Sequence, residues 1–169
     1  MPFYGEMGSL NPVFLLPGAL DQRADEIASG YIQSVNLGVG QFCTNPGAVL
    51  GLEGGSLDTF LSAAKTAAEE VAPATMLHPG IHAAFEQGQQ RIAGLNGVNR
   101  VGSSSQPPAA NAHQATCNIY ESDVSQIGKP EVSEEVFGPS SIVFKCQSID
   151  QMMEYAKSCL LYTSPSPRD

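Results

Sequence analysis

The chain has 169 residues, which suits one ordinary domain, and 42% of them are hydrophobic, which permits a packed core and excludes global disorder. The formal net charge of -9 disfavours a partner with a phosphate backbone, so we expect no nucleic-acid binding. No basic segment precedes an apolar stretch at the start, and apolar runs such as Val13–Leu16 are too short to span a bilayer. We therefore expect neither a signal peptide nor a membrane anchor.

The first half of the chain alternates between strand and helix patterns after a loop broken by Gly and Pro. Pro12–Pro17 is a short apolar run typical of a buried strand in a parallel sheet. In Ala19–Val39 the apolar residues recur at helical spacing, and Gly38-Val39-Gly40 is expected to end that helix. Ala48–Leu52 is predicted to form a second strand, and Ser56 to cap the helix that follows.

The second half continues the alternation. We predict a helix from about His82 to Leu95 and a loop over Val101–Ala112, which is rich in Gly, Ser, Pro and Ala. Ala115–Tyr120 and Ser141–Cys146 are predicted strands, and Ile149–Lys157 opens a last helix. Strands that alternate with helices indicate an α/β layer architecture.

The last eleven residues, 159–169, differ from what precedes them, because a helical pattern gives way to Thr-Ser-Pro-Ser-Pro. This string is similar to the translation of a sequencing adapter, although an ordinary disordered C-terminus is the simpler alternative. We interpret it as a non-native, adapter-derived tail and leave it out of the fold prediction. Native sequence would then stop near Ser158.

Cys43 is the first candidate for chemistry. It follows a Gly-rich turn, where unpaired backbone N–H groups can stabilise negative charge on the sulfur and on a reacting oxygen. A buried structural cysteine is the commoner role for an isolated cysteine. The four cysteines (Cys43, Cys117, Cys146 and Cys159) form no Cys-x-x-Cys pair, so we predict free thiols in a reducing compartment, with the cytoplasm as the expected location.

Two carboxylates and an aromatic ring complete the candidate set. Glu6 lies beside small residues, Gly5 and Gly8, and could act as a general base if its pKa is raised, although an early glutamate is more often simply solvated. Glu135 could accept hydrogen bonds from ribose hydroxyls, and Phe137 could pack on a nicotinamide ring. The ordinary alternative for this pair is a surface carboxylate followed by a core aromatic residue.

Three motifs occur in order: Gly5–Pro12 (GEMGSLNP), Gly40–Gly47 (GQFCTNPG) and Glu134–Pro139 (EEVFGP). In this combination the chain resembles the aldehyde dehydrogenase superfamily from Pro2 to Lys157. Within it, the sequence is most similar to the 2,5-dioxovalerate (α-ketoglutaric semialdehyde) dehydrogenases, with long-chain fatty aldehyde dehydrogenases next. Met7 and Ser9 stand where the family more often has Leu and Gly.

The resemblance implies a role for each candidate. Cys43 matches the family's nucleophile and Glu6 its general base, while Glu135 matches the carboxylate that holds the nicotinamide ribose and Phe137 the ring beside the nicotinamide. It implies oxidation of a small-molecule aldehyde to a carboxylic acid through a thiohemiacetal and a thioester on Cys43, with NADP or NAD as cofactor and no metal.

The resemblance also implies a fold and its limits. We expect a partial three-layer α/β catalytic domain over residues 11–158, and only the edge of the Rossmann-like cofactor domain and its hinge over residues 1–10. Full-length family members form homo-oligomers. The chain has no Gly-x-Gly-x-x-Gly turn after a strand. We therefore expect an incomplete piece of the enzyme that is inactive alone.

Other functions compete with this interpretation. His78 and His82 are spaced like metal ligands, but Pro79 and Gly80 lie between them and no glutamate occupies the zincin position, so we expect no metal site. A non-catalytic dehydrogenase remnant and a cysteine esterase-like module are the remaining alternatives, and thiol reactivity toward an activated ester distinguishes them.

Overall fold

The computed structural model describes residues 10–110 and 112–158. Glu6, nearly all of the expected hinge at 1–10 and the expected tail at 159–169 lie outside these ranges. The described helices are α1 (Pro17–Asn36), α2 (Gly55–Glu70), α3 (Pro79–Ala93), α4 (Pro130–Ser133) and α5 (Ile149–Ser158), with short 3-10 helices at Leu37–Gly40 and Val124–Gln126. The described strands are β1 (Pro12–Leu15), β2 (Ala48–Leu52), β3 (Ala74–Thr75), β4 (Val98–Ser103), β5 (Gln114–Ala115), β6 (Asn118–Asp123) and β7 (Ser140–Cys146).

The main sheet is mostly parallel, with the strand order β1-β2-β7-β6-β4. Neighbouring pairs from β1 to β6 are parallel, and β4 joins β6 as an antiparallel edge strand. Val49 of β2 pairs with Val13 on one side and Val143 on the other. Strands covered on both faces carry continuous apolar runs, and β2 follows that rule because Ala48, Val49 and Leu50 are fully buried.

Helices cover both faces of the sheet and give three layers. On one face α1 and α2 pack on the sheet through side chains such as Val35 and Phe60 around Val49. On the other face α3, α4 and α5 surround Leu50 and Phe144 with their own core residues (Ile92, Val132 and Met152). The predicted α/β three-layer architecture is confirmed.

Helix α1 follows from its sequence pattern. Pro17 occupies the first turn, where its missing N–H costs nothing. Leu20, Ala24, Ala28 and Ile32 recur at four-residue steps and are all buried. The helix therefore fixes the point at which the chain enters the Gly38–Gly40 turn that leads to Cys43. No helix among the described residues is long and apolar enough to cross a membrane.

Some local predictions were wrong. Ser56 does not cap α2, because the helix begins before it. The N-cap is Gly54, whose φ of 147° is readily adopted by glycine, and the Ser56 hydroxyl donates to Asp21 instead. Residues 101–103 are not a loop but the end of β4, where Gly102 lies against the backbone of Lys65 so closely that a side chain would not fit. Here glycine permits close packing of strand on helix rather than marking a turn.

The predicted strand Ala115–Tyr120 is divided in the structure. Ala115 belongs to β5, which pairs with β3, and the chain joins the main sheet only at Asn118. The side-chain amide of Asn118 donates to the carbonyl oxygen of Thr116 at 3.0 Å, and this local bond turns the chain between the two strands.

Candidate active site

The turn that carries Cys43 has an unusual backbone. Gly38, Val39 and Gly40 follow α1 with φ values of 57°, 60° and 64°, all in the left-handed region. Val39 is β-branched, and such residues are rarely found there because of steric strain. The reversal leaves Cys43 exposed beyond the end of the helix.

Gly40 packs directly against the third motif. A Cβ atom built on Gly40 would lie 2.2 Å from the carbonyl carbon of Gly138. Gly138, at φ 152°, in turn lies against the ring of Phe85 so that its own Cβ would be 2.3 Å from that ring. The two motifs therefore touch through main-chain atoms, and both glycines are required by the close approach.

Hydrogen bonds from the end of the first motif hold the Cys43 turn. The side-chain amide of Asn11 donates to the carbonyl oxygen of Cys43 and, at 3.2 Å, to that of Asn45. Within the turn, the backbone N–H of Asn45 donates to the carbonyl of Phe42 at 3.0 Å, and that of Gly47 to the carbonyl of Asn45 at 2.9 Å. The carbonyl groups near the thiol are thus occupied.

The N–H groups of the same turn are available. Among the described residues, the backbone N–H groups of Cys43 and Thr44 donate to no partner, and both side chains are exposed. Unpaired N–H groups beside a nucleophile are the donors that an oxyanion hole needs. The sequence-based hypothesis of a Gly-rich turn with free donors around Cys43 is compatible with this geometry.

The third motif is fixed by α3. The guanidinium group of Arg91 forms an ion pair with the carboxylate of Glu134 and also donates to the carbonyl oxygen of Glu134 at 3.0 Å. A planar group that holds both the side chain and the main chain of one residue restricts the next one as well. Glu135, which is half-buried, is therefore presented from an anchored segment.

Two bonds join the Cys43 turn to the third motif and to the strand that follows it. The side-chain amide of Asn45 donates to the carbonyl oxygen of Gly138 at 2.8 Å. The hydroxyl of Ser141, at the start of β7, donates to the carbonyl oxygen of Pro46 at 2.5 Å. The structure thus brings the turn with Cys43 beside the segment with Glu135 and Phe137.

Glu135 and Phe137 face a shared cleft against the first half of α3. Its volume is about 680 Å³, and its walls include His78, Ile81 and Phe85. The ring of Phe137 is 38% exposed. A half-buried carboxylate and a partly exposed ring on one wall fit the ribose and the flat base of a nicotinamide nucleotide, with the carboxylate as hydrogen-bond acceptor.

The histidines have other roles in the structure. The Nδ1 atom of His78 accepts from the backbone N–H of Gly80 at 2.9 Å and caps α3, while Nε2 of His82 lies 3.1 Å from the carbonyl oxygen of Gln114. Over residues 10–110 and 112–158, no cluster of His, Cys, Asp or Glu side chains is arranged to share a metal ion.

Asn11, Asn45 and Arg91 are site residues to which sequence reasoning gave no role. Asn11 and Asn45 each precede a proline inside a motif, and Asx–Pro steps mark turns where the side chain can bond to the backbone. That signal was present for both asparagines. Arg91 carried no local signal, because its partner Glu134 is distant in sequence.

No protein-family model matches the chain. It is 41% identical over 157 residues to α-ketoglutaric semialdehyde dehydrogenase 2 of Azospirillum brasilense, a match that covers 90% of this chain and 29% of that protein. It is 34% identical over 145 residues to α-ketoglutaric semialdehyde dehydrogenase of Acinetobacter baylyi, covering 85% of this chain and 27% of that protein.

The fold matches that of betaine aldehyde dehydrogenase from Staphylococcus aureus, solved in complex with NAD+, with a TM-score of 0.71 and 18% identity. That match covers 90% of this chain and 31% of the other. The chain therefore spans less than a third of the length of each of these proteins.

Proposed function

The chain belongs to the aldehyde dehydrogenase superfamily, and we propose from that premise that it forms part of the catalytic domain of an NAD(P)-dependent enzyme that oxidises an aldehyde to a carboxylic acid. The observation that carries the proposal is the junction of an exposed Cys43 turn with the anchored Glu135–Phe137 segment. We assign residues 11–158 to this domain.

Cys43 is the proposed nucleophile. Its thiolate sulfur forms a bond to the aldehyde carbon, and the negative charge moves from the sulfur to the carbonyl oxygen as the thiohemiacetal forms. The backbone N–H groups of Cys43 and Thr44, which donate to no partner within the described part of the chain, are the proposed donors to that oxygen. The carbonyl of Cys43 is turned away into its bond with Asn11, so it does not oppose the developing charge.

Glu135 and Phe137 are the proposed nicotinamide-side contacts. Glu135 would accept hydrogen bonds from the ribose hydroxyls, and the exposed face of Phe137 would lie beside the base. When bound, the nicotinamide would supply the acceptor for the hydride that leaves the thiohemiacetal carbon. We propose that the residues that hold the rest of NADP or NAD lie elsewhere in the full enzyme.

Glu6 is the proposed general base for the last step. Water attacks the thioester carbon and Glu6 takes a proton from that water; the bond between carbon and sulfur then breaks, which releases the carboxylic acid and restores the Cys43 thiolate. Glu6 lies outside the described residues, so its role rests on the motif Gly5–Pro12 alone.

The proposed substrate is 2,5-dioxovalerate. Its support is the pair of relatives named α-ketoglutaric semialdehyde dehydrogenase, one of which is 41% identical over 157 residues. A fatty aldehyde is the alternative. Comparing the specificity constants for the two aldehydes separates them.

Activity is best tested in a chimera, since the chain covers 29% of the Azospirillum protein. Residues of this chain replace the matching segment, and NADPH or NADH formation is followed with 2,5-dioxovalerate. We expect turnover that Cys43→Ala abolishes and that Asn96→Ala, a truncation of an exposed side chain in the turn before β4, leaves intact. Turnover that survives Cys43→Ala contradicts the proposed mechanism.

A second measurement uses the 169-residue chain itself. We expect no NADP- or NAD-dependent turnover from it, but acetylation of Cys43 by p-nitrophenyl acetate, read by peptide mass. The esterase-like alternative predicts continued turnover of this ester, whereas an inert remnant predicts no acetylation at Cys43.

A further inference from the structure

Asn45 belongs to two loops at once. Its main chain lies within the Cys43 turn, where its N–H donates to the carbonyl of Phe42 at 3.0 Å and its carbonyl accepts from Gly47 at 2.9 Å. Its side chain leaves the turn and donates to the carbonyl oxygen of Gly138 at 2.8 Å. A displacement of either loop therefore acts on this one side chain.

The acceptor of that bond is held from several sides. The main chain of Gly138 is in close contact with Gly40 and with the ring of Phe85. Its carbonyl oxygen also accepts from the N–H of Ser140 at 2.8 Å, and the carbonyl of Pro139 accepts from the N–H of Asn118 at 2.9 Å. Gly138 is thus a fixed anchor, to which Asn45 ties the Cys43 turn.

The orientation of the Asn45 amide is determined by its surroundings. Its Oδ1 atom is buried and has no hydrogen-bond partner among the described residues. Exchange of the amide's oxygen and nitrogen would place an oxygen against the carbonyl of Gly138, which is repulsive. The observed orientation leaves the Oδ1 atom without a hydrogen bond but keeps the bond to Gly138. The reverse orientation would lose that bond and would place two oxygens together, so it is less favourable.

We propose that Asn45 is a positioning residue that couples the Cys43 turn to the segment Glu135–Gly138, so that thiol and ribose-binding carboxylate move as one unit. The catalytic meaning of the coupling rests on the proposed function. The coupling itself concerns two loops and is independent of what Cys43 does.

Backbone hydrogen exchange measures the coupling directly, because amides exchange when their segment opens locally. We expect Asn45→Ala to speed exchange by about fivefold, the factor that corresponds to one net hydrogen bond, at the amide of Ser140, whose N–H donates to the carbonyl of Gly138 at 2.8 Å. Asn45→Asp keeps the size but puts an acceptor against the Gly138 carbonyl, so it should accelerate exchange more. The rate at which iodoacetamide alkylates Cys43 should also differ from that of the unaltered chain in both Asn45 variants.

Thr44→Ala is the matched control, because Thr44 is the adjacent residue of the same turn and its side chain is exposed. It should leave exchange at Ser140 unchanged. Val35→Ala, in the core of α1, lowers stability in general and should also leave the local opening at Ser140 unchanged.

Unchanged exchange at Ser140 in both Asn45 variants overturns the proposal, as does an equal effect of Thr44→Ala or of Val35→Ala. The proposed function fails separately. If iodoacetamide alkylates Cys43 in the unaltered chain no faster than it alkylates glutathione, the nucleophilic role of Cys43 is contradicted, while exchange at Ser140 still reports the coupling.

Discussion

The side-chain amide of Asn11 donates a hydrogen bond to the carbonyl oxygen of Cys43, which lies 32 residues further along the chain. The same amide also donates to the carbonyl of Asn45 at 3.2 Å. β1 and the Cys43 turn are consequently tied together at the point where β1 enters the sheet beside β2. The position of Cys43 therefore depends on a residue from the motif that also contains Glu6.

Replacing Asn11 with alanine removes both bonds and leaves one exposed and one part-buried carbonyl group without this donor. We expect the free energy of unfolding to fall by about 1–2 kcal/mol, measured by urea denaturation. Asn96→Ala is the control, since Asn96 is exposed in the turn before β4, and it should change stability little. Equal losses in the two variants would mean that the Asn11 bonds contribute nothing specific.

The sequence predicted most of the regular elements because burial repeats at the period of the element. Val13, Val49 and Val143 were found in apolar runs, and those runs became adjacent parallel strands. The order in which the strands pair, by contrast, depends on residues far apart in the chain. Strand β7 lies between β2 and β6, and no local residue pattern predicts that position. The edge strand β4 was not predicted. One reason is that Gly102 and the serines after it have the composition of a loop, and the contact between Gly102 and Lys65 that explains the glycine exists only in the folded chain.

The candidate site also contains features that the sequence predicted and features that only the folded structure shows. Cys43, Glu135 and Phe137 were identified by motifs, and the structure places their segments side by side. The ties between those segments run from Asn45 to Gly138 and from Arg91 to Glu134, and each joins residues far apart in the chain. Such ties depend on the folded geometry, so local sequence patterns do not predict them. The roles of the motif residues, Glu6 included, remain predictions.

Gly40 should tolerate no side chain. A Cβ on Gly40 would lie 2.2 Å from the carbonyl carbon of Gly138, and its φ of 64° disfavours any L-residue with a side chain. We expect Gly40→Ala to lower the free energy of unfolding by at least about 2 kcal/mol and to displace the Cys43 turn.

Gly30→Ala is the matched control for Gly40. Gly30 lies within α1 with no atom near the position of a Cβ, so alanine should raise stability by about 0.5–1 kcal/mol. Thermal unfolding of both variants measures the difference. Two changes of the same sign and size would contradict the close contact between Gly40 and Gly138.

Cys43 should differ from the buried thiols in its reaction with alkylating agents. Burial raises the pKa of the Cys117 thiol to about 11, against a smaller opposing effect of the hydrogen bond from Asn36. Burial, with the nearby charges of Asp123 and Glu53, raises the pKa of the Cys146 thiol to about 11. Near neutral pH both are inaccessible and protonated, and only thiolates react.

Iodoacetamide followed by peptide mapping tests this difference. We expect modification of Cys43 in the folded chain and modification of Cys117 and Cys146 only after denaturation. Cys159 lies outside the described residues and is scored separately. Rapid labelling of Cys117 in the native chain would contradict the packing of α1 and α2 over that part of the sheet.

The same buried thiols predict how stability changes in alkaline solution. The pKa of Cys117 and that of Cys146 each rise from an ordinary value of 9.0 to about 11 on folding, mainly through burial. Above pH 9.0 the unfolded chain releases these protons while the folded chain keeps them, so stability is complete below that pH and falls as the pH rises toward about 11. Burial also raises the pKa of the Tyr31 hydroxyl, which acts in the same direction.

Urea denaturation at a series of alkaline pH values measures this slope, to which each thiol contributes at most about 1.4 kcal/mol per pH unit. The double variant Cys117→Ala and Cys146→Ala will be less stable at neutral pH because of the cavities it creates, so the comparison concerns the slope alone. We expect a shallower decline in the double variant. An unchanged slope would show that the two thiols do not remain protonated in the folded chain over this range.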